Sequence, residues 1–234
     1  MKLWVGTSGY SYKAWLGAFY PERLAAKEML RFYASRLPAV EINNTFYRLP
    51  KETVLQSWAV QVPAEFRFVL KAPQKITHAK RLKDVSSEAE YLFRVGKALG
   101  STAGAILFQL PPHLRKDIER LKNFLMLVPH DSAVAFEFRH PSWLDDEVFA
   151  CLREHNCSLC MSDTDETPIS NMIATGTWGY VRLRRSVYDS ADLLSWKQRV
   201  LSQNWDHAYI FFKHEDEGIG PKLAAEFLEL SCTT

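Results

Sequence analysis

The chain has 234 residues, 47% of them hydrophobic, with 29 Lys and Arg against 27 Asp and Glu and a formal net charge of +2. That length and apolar content support a single domain with a sizeable core, and the near-neutral balance excludes the basic footprint of a dedicated nucleic-acid binder. No uninterrupted apolar run approaches the ~18 residues of a membrane span, and no signal-peptide pattern precedes Gly6, so a cytoplasmic setting is expected.

Taken in chain order, strand-like apolar runs fall at 3–6, 39–43, 66–72, 105–110, 133–138, 158–162, 178–183 and 208–212. Stretches of helical period lie between them at 22–37, 52–62, 87–99, 116–128, 145–155 and 191–203, and 221–230 closes the series. Only the connection after Ser162 lacks a convincing long helix. Helix starts are marked at Pro21-Glu22, Pro50-Lys51-Glu52, Ser86-Ser87-Glu88, Ser142-x-x-Asp145 and Gly220-Pro221. At Pro141-Ser142-Trp143 the plain structural alternative is that Ser142 caps a helix while Trp143 staples it to the sheet. Strands alternating with helices, without a composition break, predict an α/β fold, a TIM-like (β/α)8 barrel in a single domain over 1–230 with a tail at 231–234. An open doubly wound sheet is the alternative. Against it, no strand leads into a GxGxxG or GxxxxGK[ST] loop, so no nucleotide cofactor is indicated.

All four cysteines, Cys151, Cys157, Cys160 and Cys232, lie in the last third of the chain. Cys157-x-x-Cys160 enters an apolar run without a second pair, which favours buried thiols over a redox or metal pair.

In a parallel barrel alternate residues face the interior, and the C-terminal mouth collects the polar groups that the strands carry last. Parity places Glu41 and Asn43, Val69 and Lys71, Gln109, and Glu137 with Arg139 on the inner row. The later strands are less decisive: Arg182 and Lys213 share a parity with the aromatics before them and add two cations to the mouth if that row faces in, and Asp163, ending the sixth run, is a further candidate acid. A near-balanced, slightly cationic mouth suits a small polar ligand carrying a carboxylate or phosphate. The structural alternative is a self-satisfied network in which Glu41 pairs with Lys71 and Glu137 with Arg182. Buried pairs stabilise poorly compared with apolar packing, so a crowd of them at one end favours function.

Among these groups Glu137 is the candidate general acid/base, because it closes a short apolar strand. Lys71 closes another, a setting that lowers a lysine pKa, and it is expected to position or polarise the substrate. Arg139 and Arg182 would hold an anionic group. Ser8, Tyr10, Glu41, Asn43, Tyr47, Arg48 and Gln109 complete the expected substrate-binding set, the loop aromatics Tyr10 and Tyr47 serving either as stacking surfaces or as lids and staples. Glu41, Glu137 and Asp163 with His78, His140 and His214 supply ligand types for zinc or manganese, but without an HExxH pattern no obligatory metal is expected.

Several motifs stand out as a set: Gly6-Thr7-Ser8-Gly9-Tyr10-Ser11-Tyr12-Lys13 with Trp15, Phe19-Tyr20-Pro21, Glu41-Ile42-Asn43 and Thr45-Phe46-Tyr47-Arg48-Leu49-Pro50. They continue at Ile76-Thr77-His78, Leu107-Phe108-Gln109-Leu110-Pro111-Pro112 and Glu137-Phe138-Arg139-His140-Pro141-Ser142-Trp143. In these stretches the chain resembles the YecE-like family, a domain of unknown function. The resemblance implies a TIM-like barrel of about this size and brings no established reaction. Many relatives carry an Asn-Asn-Asp-like turn at the eighth strand, where this chain has Lys213-His214-Glu215-Asp216.

The expectation is therefore an enzyme acting on a small anionic or polyhydroxylated metabolite at the mouth. A nucleic-acid or nucleotide-handling protein is the less favoured alternative, and a non-catalytic metabolite-binding barrel is another.

Overall fold

The computed structural model describes residues 1–214 and 216–231. Eight strands, β1 (Lys2–Ser8), β2 (Ala39–Ile42), β3 (Arg67–Lys71), β4 (Ala103–Gln109), β5 (Val134–Glu137), β6 (Ser158–Asp163), β7 (Trp178–Leu183) and β8 (His207–Phe212), pair in chain order. Every pairing is parallel, and β1 pairs with β8 to close the barrel. The open-sheet alternative is thereby removed.

Among the described residues seven α-helices cover the outside: α1 (Met29–Ala34), α2 (Glu52–Ala59), α3 (Ser86–Gly96), α4 (Ile118–Leu125), α5 (Asp146–Glu154), α6 (Ser190–Leu201) and α7 (Ile219–Glu229). Among the described residues no α-helix lies between β6 and β7, as the sequence pattern predicts. The long first helix expected over 22–37 contracts to α1, preceded by a 3-10 turn at Ala26–Glu28. Asp145, not Ser142, caps α5, accepting from the Glu147 backbone N–H at 3.1 Å. Ser142 instead accepts from the Lys116 backbone N–H at 2.8 Å. The stapling reading holds for Trp143: it is fully buried, donates from Nε1 to the Leu114 carbonyl at 2.7 Å and stacks on Phe138.

Strand parity divides the core. Val5, Val40, Ile42, Phe68, Leu70, Phe108 and Phe136 face the helices in two large outer clusters. Trp4, Val69, Leu107, Ala135, Tyr180, Tyr209 and Phe211 fill the barrel. Two glycines permit close approach. A Cβ on Gly6 would lie 1.8 Å from the Ala39 carbonyl oxygen, and one on Gly179 would lie 2.1 Å from the Trp205 ring. The apolar layers stop at the C-terminal ends of the strands, and there the interior becomes polar.

Candidate functional site

Glu41, Glu137 and Arg182 are buried at the top of the barrel interior. Arg182 bridges the two acids, its Nη2 donating to Glu41 Oε1 at 2.8 Å and its Nη1 to Glu137 Oε2 at 2.6 Å. Ser8 Oγ donates to Glu41 Oε1 at 2.7 Å and the Tyr180 hydroxyl to Glu41 Oε2 at 2.6 Å. Gln109 Nε2 donates to Glu137 Oε1 at 2.8 Å. Register explains these partnerships: Ser8 lies beside Glu41, and Gln109 beside Glu137. One guanidinium thus serves two carboxylates, and hydroxyl or amide donors occupy their other sites.

Toward solvent the pairing loosens. Arg139 Nε lies 3.5 Å and Arg184 Nη1 3.6 Å from Glu137 Oε1, at or beyond the limit of a useful hydrogen bond. Lys71 does not pair with Glu41. The register places Glu41 beside Val69, so Lys71 stands a layer higher, with Nζ 4.4 Å from the Phe46 ring centroid. Four cations, Lys71, Arg139, Arg182 and Arg184, therefore face two carboxylates, leaving an excess of two positive charges.

The same geometry sets the proton affinities. Burial pushes the Glu137 carboxyl up, but Arg182, Arg184 and Arg139 together outweigh it and hold the group at about 2. Glu137 is thus ionised near neutral pH, an anchor for cations and a poor proton donor. Burial and then Arg182 lower Lys71 to about 8, against the raising effect of Glu41 and Glu137. His78, 4.9 Å from the Phe46 ring, is likewise lowered by burial, Lys71, Arg139 and His113. Lowered to about 8, Lys71 is a group of the mouth that can change its protonation state near neutral pH.

Other expected site residues divide. Ser8, Glu41, Lys71, Gln109, Glu137, Arg139 and Arg182 converge on the mouth. Asn43 is half-buried, and its Oδ1 has no hydrogen-bond partner among the described residues. Tyr10 instead packs beside Tyr33 in the outer core. Tyr47 is 74% exposed and Arg48 is exposed, so the structure brings neither into the buried network. Asp163 does not join the central acids. It lies on the outer parity of β6 with Met161, and accepts from Arg185 Nε and the Tyr188 hydroxyl, each at 2.9 Å. Lys213 is exposed past β8, and Glu215 lies outside the described residues. Among the described residues, no three of the candidate acids, histidines and cysteines gather as a metal cluster. Arg184, Tyr180 and Phe46 were missing from the expected set. Arg184 carries a legible signal, being the next residue of inward parity after Arg182.

Fold and site together define a parallel (β/α)8-type barrel whose C-terminal mouth is polar and cationic. A family model described as "Protein of unknown function DUF72" matches residues 4–233, and the chain belongs to that family. It is 30% identical over 143 residues to the UPF0759 protein YecE of Escherichia coli K12, covering 60% of this chain and 50% of that protein. It is 27% identical over 156 residues to the UPF0759 protein YunF of Bacillus subtilis, covering 63% of this chain and 54% of that protein. The chain thus matches about half the length of these curated relatives. A crystal structure of a DUF72 family protein from Thermotoga maritima superposes with a TM-score of 0.86 at 26% identity, over 98% of each chain. Another, from Enterococcus faecalis, has a TM-score of 0.79 at 19% identity, over 99% of this chain and 97% of that one, and shows the shared fold.

Proposed function

We propose that the barrel mouth binds a small anionic or polyhydroxylated metabolite and acts on it by acid/base chemistry. The observation that carries this reading is Lys71: a lysine brought to about 8 by burial and Arg182, beside a network with surplus positive charge. It can hold a proton for an anionic group at neutral pH and release it at modest cost. Arg139 and Arg184, each only loosely engaged with Glu137, supply the anion-binding guanidiniums. Arg182, with both terminal nitrogens engaged, fixes Glu41 and Glu137 and so positions the others. Glu137 retains its ionised state through this geometry, which gives the mouth a fixed charge against which the cations are arranged.

Solubility of the ligand and the expected cytoplasmic setting belong to the same proposal. Cys151, Cys157 and Cys160 are free and buried, and among the described residues no helix is long and apolar enough to cross a membrane. Nucleic acid is not part of this reading.

A thermal-shift screen of carboxylates, phosphates, polyols and divalent ions, followed by a turnover assay on each hit, tests the proposal. An anion that stabilises the wild type and is consumed, but does neither with Lys71→Met, supports it. Stabilisation without turnover makes the protein a metabolite-binding barrel. Identical responses from wild type and Lys71→Met remove Lys71 from the site.

A further inference from the structure

The missing helix after β6 leaves a space. Residues 164–177 run along the outer side of β6 and are pinned at both ends. Near the mouth, Asp163 Oδ1 accepts from the Ile169 backbone N–H at 3.0 Å. Near the other end, Thr175 Oγ1 accepts from the Leu159 backbone N–H at 2.7 Å and donates to the Cys157 carbonyl at 2.8 Å. Between the pins lies a cavity of about 780 Å³ that is continuous with the mouth, because Glu137, Arg139 and Arg184 also line it.

The lining has two distinct ends. Leu159 and Met161, which a helix would otherwise cover, form an apolar wall with Phe138, Ile169 and Ile173. At the mouth end stand Arg139, Arg184 and Ser162, and there Arg184 Nε and Ser162 Oγ are buried without a hydrogen-bond partner among the described residues. Buried donors and hydroxyls are seldom left unsatisfied, because each costs desolvation that no bond returns. Here the unpaired groups and the loosely held guanidiniums all belong to one corner of one cavity. An inorganic anion would answer them but leave the apolar wall uncovered. The volume lies in the range of pockets that enclose drug-sized ligands, roughly 300–1,000 Å³.

We infer that this cavity is the specificity pocket for an amphipathic oxyanion, a carboxylate or phosphomonoester carrying an aryl or branched-alkyl body. Its charged group sits between Arg139 and Arg184, within reach of the Lys71 side of the mouth, and its apolar body lies against Leu159, Met161, Ile169 and Ile173. The inference rests on the mouth being the anion site and adds the chemical class of what enters it.

Titration calorimetry with two matched pairs of probes tests it: phenyl phosphate against methyl phosphate, and 3-phenylpropanoate against propanoate. Within at least one pair the aryl member is expected to bind about tenfold tighter or better, and the pair that shows the preference identifies the anion. Ile173→Trp and Ile169→Trp, each checked for a native thermal midpoint, fill the cavity from two sides. Either one should reduce that preference to within about twofold while the small anions still bind. The pocket assignment is overturned if the small anions bind and weaken with Lys71→Met but the aryl members gain nothing, or if the preference survives both tryptophans in folded protein. That outcome leaves the mouth reading standing. If none of the four probes binds, both the mouth reading and the pocket fall together.

Discussion

Replacing Arg182 by Met keeps most of the side-chain volume and deletes one charge that two carboxylates share. Removing one partner from a buried ion pair costs roughly 3–5 kcal/mol, because the other partner is left uncompensated. Here two partners are stranded, and they are unequal. Glu137 keeps Gln109 and the looser Arg139 and Arg184, whereas the hydrogen bonds remaining to Glu41 come from Ser8 and Tyr180, both neutral. The expected loss therefore lies at the upper end, about 4–5 kcal/mol. For a chain of this size that corresponds to a fall in Tm of about 10–20 °C. The pH dependence should change as well. With its carboxyl held at about 2 instead of the ordinary 4.5, Glu137 contributes stability that is fully present above 4.5 and lost as pH falls through 2. That contribution is on the order of 3 kcal/mol, and the variant should lose much of it, flattening the acid side of its stability curve. Urea unfolding at pH 3, 5 and 7 measures both effects, and Glu41→Gln added to Arg182→Met should recover part of the loss. A cost below about 1 kcal/mol, with the acid limb unchanged, would refute the view that Arg182 is the charge on which both acids depend.

Lys71→Met removes a partly desolvated cation, so thermal stability should hold or rise while affinity for a small anion such as methyl phosphate falls about tenfold. In the wild type that affinity should decline as pH rises through about 8, where Lys71 loses its proton, and the decline should be absent from the variant. Lys197 Nζ donates to the carbonyls of Phe227, Leu228 and Leu230 at 2.9, 2.9 and 2.6 Å, closing the C-terminal end of α7. Lys197→Met should cost about 2–3 kcal/mol and speed amide exchange selectively in α7, as measured by hydrogen–deuterium exchange. Gly6→Ala sets a methyl group against the Ala39 carbonyl oxygen of the neighbouring strand, so it should prevent soluble folding or lower Tm by more than 10 °C, about 3 kcal/mol or more. Recovery of a normally stable Gly6→Ala protein would show that β1 and β2 can separate at that point.

Strand parity carried most of the legible information. Glu41, Lys71, Gln109 and Glu137 each fall at inward positions near a strand end, and the barrel brings all four to the mouth. The missing helix after β6 was legible too, because no long stretch of helical period separates the sixth and seventh apolar runs. Pairing across the barrel was legible only in part: Glu137 does pair with Arg182, but Glu41 does not pair with Lys71. Parity says which face a side chain occupies, but the level of each strand depends on the shear of the closed sheet. That stagger separates Lys71 from Glu41 by one layer and hands Glu41 to a residue 141 positions away. Asp163 misled because it directly follows the inward Ser162, and a single step in a strand reverses the face. The first helix was overestimated because the apolar spacing of 22–37 continues through turns whose side chains, Leu24 among them, still pack on the core.

The span of the Arg182 bridge bears on how long the native state persists. Glu41 belongs to the second strand and Arg182 to the seventh, and their contact needs a ring already closed between the first strand and the eighth. A growing open sheet cannot form it, so the bridge is expected to form late in folding, and the kinetics of Arg182→Met test that order. Interactions absent from the transition state govern unfolding rates and leave refolding rates nearly untouched. Relaxation kinetics of Arg182→Met should accordingly show a steeper loss of native lifetime than of refolding speed. The charged layer at the mouth then acts as a kinetic latch, holding shut a barrel that aromatic and aliphatic packing had already assembled.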